Sequence, residues 1–218
     1  MTNQRFRAEL DYDQLIYVIS HDLKAPSRAL NQYLFMLKDS LTNGSQDDVD
    51  RIMGRMEEVL GRFDQQMEGL LKLSRFGNAK GNAAVIQSAD VIHEILEKSG
   101  VRFRVDSNLP SVHFDRERFD WIFSELAANV ANHAGDNAEI SVSHDGNNFI
   151  FEDNGIGIDE QKRHEVFMVF RPIHRHDSPH AGLGLACVAR IVRSTGGQLA
   201  MECPTQGGTR FLFSLPIA

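Results

Sequence analysis

Cysteine is almost missing from this chain: Cys187 and Cys203 are its two thiols, and they do not form a close pair. Both therefore read as reduced, structural residues of a cytoplasmic protein. Positive charge is also in short supply. A net charge of −7 is the wrong sign for a surface that grips nucleic acid. No apolar run approaches the ~20 residues that span a bilayer, and the polar stretch at residues 2–7 is no signal peptide. Neither nucleic acid nor membrane is an expected partner. Internal repeats and low-complexity tracts are lacking as well. What remains is 218 residues, enough for one large domain or two small ones, each with a core.

The apolar pattern divides the chain. Between about residues 10 and 41, Leu15, Val18, Ile19, Leu30, Tyr33, Leu34, Leu37 and Leu41 recur at helical spacing. Pro26 interrupts them and predicts a bend, because proline removes a backbone hydrogen bond from a helix interior. Asn43-Gly44-Ser45 predicts a turn, with Ser45 or Asp47 capping the next helix. Val49, Ile52, Met56, Val59, Phe63, Met67, Leu70 and Leu73 or Phe76 then step by threes and fours, the seam of a coiled coil or bundle. A helical hairpin with one apolar stripe cannot bury both faces alone. Pairing two hairpins into a dimeric four-helix bundle solves this, and packing on the chain's own second domain is the alternative. Residues 77–81 read as a linker, which sets the expected domains at 1–78 and 83–218.

Beyond the linker the texture changes. Residues 88–99 and 184–194 look helical, the latter ended by Gly196-Gly197, and Asp115 caps a helix running to about His133. Residues 101–105, 140–144, 149–152, 198–203 and 209–215 read as strands, with Asp145-Gly146 turning a hairpin. Helices interleaved with mostly antiparallel strands predict an α+β fold with a layer sandwich in the second domain. Phe119, Trp121 and Phe123 are expected in its core.

Two distant stretches carry chemistry. Ser20-His21-Asp22-Leu23-Lys24-Ala25-Pro26 places an imidazole beside a carboxylate. Neutral imidazole is an available nucleophile near pH 7, and a neighbouring carboxylate can fix its tautomer. Asp153-Asn154-Gly155-Ile156-Gly157 sets a carboxylate before a glycine turn, where it can accept a hydrogen bond from an adenine amino group while backbone closes on the base. Gly182-Leu183-Gly184-Leu185 opens a helix whose free amides favour phosphate. Asn129 offers a hard oxygen suited to Mg²⁺.

In this order the pieces resemble sensor histidine kinases of two-component systems, with the ATP-binding domain shared by gyrase, Hsp90 and MutL. The resemblance covers about residues 15–215. Residues 20–26 look like the phosphoacceptor box, 125–133 like the N box, 153–157 and 182–185 like the two glycine boxes, and Val166-Phe167 with Phe170 like the phenylalanine box. The phosphoacceptor box and the short lid Phe170-Arg171-Pro172-Ile173-His174-Arg175 are closest to phytochrome-type kinases. The resemblance implies ATP and Mg²⁺ as cofactors, His21 as the phosphorylated residue and Asp22 as its acid-base partner. It implies Asn129 as the metal ligand, His133 near the phosphates and Asp153 on the adenine amino group. Gly155, Gly157, Gly182, Leu183 and Gly184 would wall the pocket, and residues 170–181 would form a lid. A homodimer, a response-regulator receiver domain as phosphoryl acceptor and a separate upstream sensor protein are the partners implied.

Three departures stand out. Asn132 replaces a common lysine, His180-Ala181 replaces Gly-Thr, and Ala25 stands where kinases that also act as phosphatases carry threonine or asparagine. The last predicts weak or absent phosphatase activity. The lid histidines His174, His176 and His180 either bind a transition metal or are incidental, and His113 and His144 are expected to be incidental. Two rival readings keep the fold: a phosphotransfer protein relaying through His21 over a decayed ATP domain, and a nucleotide-sensing dimerisation module.

Overall fold

The computed structural model describes residues 6–7, 23–78, 81–163, 165–168, 182–205 and 207–218. His21, Asp22, the lid at 170–181 with its three histidines, and the helix expected before Leu23 lie outside the described residues. So does one side of the bend expected at Pro26. The N-terminal part is a helical hairpin of α1 (Lys24–Asn43) and α2 (Gln46–Asn78). Pro26 falls in the first turn of α1, where backbone amides have no intrahelical acceptor in any case. Of the two caps expected for α2, Ser45 serves. Its Oγ accepts from the Asp48 amide at 3.2 Å, and Asp48 Oδ2 accepts back from the Ser45 amide at 3.4 Å, a reciprocal capping box. Helix α2 then runs to Asn78, past the expected break at Gly77.

The seam of α2 behaves differently at its two ends. Val49, Ile52 and Val59 are buried in the hairpin, and Leu73 and Phe76 are buried in the core of the second part. Helix α1 buries no residue, and Leu41 remains 67% exposed. The hairpin has thus spent only part of its apolar stripe within this chain.

The second part is an α+β sandwich. Strands β1 (Phe6–Arg7), β3 (Arg102–Val105), β5 (Glu139–His144), β6 (Phe149–Asp153), β7 (Leu199–Glu202) and β8 (Thr209–Phe213) form one sheet ordered β1-β7-β8-β6-β5-β3. Strand β3 runs parallel to β5 and the remaining neighbours are antiparallel. A separate antiparallel pair joins β2 (Ala83–Ile86) to β4 (Val112–Asp115). Helices α3 (Ser88–Glu97), α4 (Arg116–His133) and α5 (Gly184–Ser194) supply the other layer. Between the layers, Phe123 on α4 meets Phe119, Phe149 and Phe213 at 4.9, 6.2 and 5.7 Å between ring centroids. Each such ring is buried fully, a contribution of roughly 1.5–3 kcal/mol apiece.

Strands β1, β2 and β4 were not expected from the sequence, while Trp121, expected in the core, packs half-buried against it at a seam. That seam is where α2 docks. Phe76 lies 5.6 Å from the Trp121 ring, Lys72 Nζ sits 4.3 Å above it, and Arg75 pairs with Glu117 at 2.9 Å. One turn earlier Gly69 abuts Leu183, with Cys187 Sγ 4.0 Å from the Gly69 carbonyl. A side chain at position 69 would overlap Leu183, so glycine sets this approach. Among the described residues no helix is long and apolar enough to cross a membrane.

Candidate functional site

Asp153 ends β6 facing the helical layer, because Phe149, Phe151 and Asp153 share the inward face of a strand with period two. The residue is 7% exposed. Oδ1 accepts from the Gly155 amide at 2.8 Å, and the amide and hydroxyl of Thr209 also donate to the group. Burial outweighs these bonds and raises the carboxyl above its ordinary value. A buried acceptor held by three donors is oriented and has little freedom to turn away.

The turn after Asp153 places it beside α4. Gly155 lies directly on Ala134, the residue that caps α4, and any side chain there would overlap it. The Ile156 amide also donates to the Ala134 carbonyl at 3.3 Å. This contact brings the last turns of α4 over the end of β6. The result is a cleft of about 500 Å³, mouth included, lined by Leu126, Asn129, Val130, His133, Ala134, Asp153, Gly157, Ile158, Leu185, Thr209 and Phe211. Its walls are mainly apolar with a few convergent polar groups, as small-molecule sites are. Asn129 Nδ2 is buried there and has no hydrogen-bond partner among the described residues. Such an atom is costly unless something from outside supplies the bond.

Of the residues singled out from the sequence, Asn129, His133, Asp153 and Gly157 line this one cleft. Gly155 acts behind it, through Ala134. Gly182 adopts φ +77° ahead of α5, Leu183 is fully buried against α2, and Gly184 abuts the buried carboxylate of Glu125. These three stand at the start of α5 and outside the cleft lining. Asn132 is exposed. His113 is exposed, and His144 serves its own turn, accepting from the Gly146 amide at 3.1 Å. Thr209 and Phe211 were missed. Thr209 stands directly opposite Asp153 in the β6–β8 register, a pairing between residues 56 positions apart that no local motif announces. Phe211 also meets Phe167 edge-on at 6.4 Å.

Residues 114–218 match the family of histidine kinase-, DNA gyrase B-, and HSP90-like ATPases. The methanogenesis regulatory histidine kinase FilI of Methanothrix harundinacea is 28% identical over 94% of this chain and 25% of its own length. Cyanobacterial phytochrome B of Nostoc is also 28% identical, over 96% of this chain and 30% of its own. The chain thus spans between a quarter and a third of these relatives. Full-length ShkA, solved in complex with AMPPNP, shares the fold with a TM-score of 0.59 at 20% identity, over 96% of this chain and 46% of that one.

Proposed function

Taking residues 114–218 as a histidine kinase-, DNA gyrase B- and HSP90-like ATPase domain, we propose that this chain is the core of a two-component histidine kinase. It transfers phosphate from ATP to His21 and passes it on to an aspartate of a response-regulator receiver domain. The observation that carries this reading is the buried Asp153 carboxylate opening into the same apolar cleft as the unpartnered amide of Asn129. The cleft fits an adenine: Asp153 accepts its amino hydrogen, while Ile158, Leu185 and Phe211 flank a flat ring. Asn129 fits a metal-phosphate group, with Oδ1 as a hard ligand and Nδ2 free to donate. Mg²⁺, when bound, neutralises phosphate charge.

The chain's own groups do the rest. Asp153 holds the base, and α4 carries Asn129 and His133 toward the phosphates. In the transfer a ring nitrogen of His21 forms a bond to the γ-phosphorus as the bond to the ADP oxygen breaks. Asp22 holds the other ring nitrogen and fixes the tautomer. The apolar stripe left exposed on α1 supports pairing of two hairpins into a four-helix homodimer. Residues 1–78 would then be the dimerisation and phosphoacceptor unit and 83–218 the catalytic one. Ala25 has no side-chain group to orient a water, so phosphatase activity is expected to be weak.

Incubation with γ-labelled ATP and Mg²⁺ tests the reading. Acid-labile label on the native chain, lost in His21→Gln, is the expected result. Nucleotide binding without label would leave a nucleotide sensor instead. Failure to bind ATP, with labelling from a phosphorylated regulator, would leave a phosphate relay.

A further inference from the structure

Strand β1 is only two residues long, yet it is the edge strand of the six-stranded sheet. Strand β7 has β8 on one side, and on the other Phe6 pairs with Met201 and Arg7 with Ala200, antiparallel. Strand β7 has four residues, so β1 covers only half of it. Without β1 this edge would offer unpaired amides and carbonyls, a ready template for an added strand. The pairing joins distant parts of the molecule. Residues 6–7 precede the α1–α2 hairpin, and the later turns of α2 dock on α4 and α5 through Gly69, Lys72, Leu73 and Phe76. The hairpin is therefore fastened to the sandwich on both its N-terminal and C-terminal sides. His21 follows Arg7 by 14 positions, so anchoring Arg7 leaves His21 a leash of about 21 Å if helical and at most ~50 Å if extended.

We propose that the β7 edge is a strand-accepting dock for the segment that precedes the phosphoacceptor helix, and that its occupancy straps the sandwich to the hairpin. A two-residue ladder contributes few hydrogen bonds, each of them weak once exchange with water is counted. Such a strap holds in the resting chain and is released by modest force on the N-terminal segment or by a competing extended peptide. Its consequence for phosphoryl transfer rests on the kinase reading above; the dock itself does not.

Hydrogen exchange on the full chain and on a chain lacking residues 1–8 tests both statements. Deletion is expected to speed exchange at least tenfold at the amides of β7 and measurably at residues 69–76 of α2. The double variant Phe6→Pro, Arg7→Pro, which removes two backbone donors and keeps the length, is expected to act alike. A peptide of residues 1–8 at millimolar concentration should restore β7 protection in the truncated chain. Unchanged exchange at β7 overturns the dock, and faster exchange at β7 with none at residues 69–76 overturns the strap. If the kinase reading holds, deletion also raises the initial rate of His21 labelling at least threefold. Absence of label in both chains would refute that reading and leave the exchange result to decide the dock.

Discussion

At Asp153 two demands conflict: a carboxylate must stay ionised to accept from a base, yet burial raises its proton affinity above the ordinary 3.8. The native state therefore binds more protons than the unfolded chain between 3.8 and the raised value. Its contribution to stability is complete below about pH 3.8 and is lost as pH climbs through the native value. Nucleotide affinity has the opposite slope, rising over that window as the acceptor ionises. Asp153→Asn is expected to remove this group's share of the pH dependence, read as the difference in urea midpoints between variant and native chain from about pH 3.5 to 6. The same variant should weaken ATP binding at least tenfold by calorimetry, since an amide can present its NH₂ to the amino group. Asp153 and Asn129 were legible in the sequence, because a carboxylate before Gly-Ile-Gly and an asparagine on an N-box helix are local patterns. Thr209 was not. Its value comes from standing opposite Asp153 across two strands, which depends on register and on the whole sheet being built.

Among the elements, α2 shows how one substitution can change sign along a single helix. Gly61 is exposed with nothing near its Cβ position, whereas Gly69 abuts Leu183. Gly61→Ala is expected to stabilise by about 0.5–1 kcal/mol through helix propensity. Gly69→Ala should destabilise by about 1–3 kcal/mol, because Leu183 is already fully buried and must move. Paired thermal melts check the contrast; equal shifts would mean that α2 does not rest on α5. Long periodic elements such as α2 and α4 were readable because their apolar spacing is sustained over many turns. The pairs β2–β4 and β1–β7 were not, being strands of two to four residues whose partners lie far away.

For the whole molecule, the unfinished business is the outer stripe of the hairpin. Leu34 and Leu41 belong to the apolar face read from the sequence and remain exposed in the single chain. Leu34→Glu with Leu41→Glu is expected to yield a particle of 24.5 kDa by light scattering, against twice that for the native chain. Circular dichroism should remain unchanged, since neither residue supports the fold described here. A native chain that scatters as a monomer at micromolar concentration would refute the dimer. The inner stripe has another destination. Trp121 is the chain's single tryptophan, and it is lodged against Phe76 and Lys72 where α2 meets α4. The protein therefore carries its own optical gauge. When α2 parts from the sandwich the indole meets water and its emission shifts to longer wavelength, so the loss of that contact is read by colour alone in unlabelled protein.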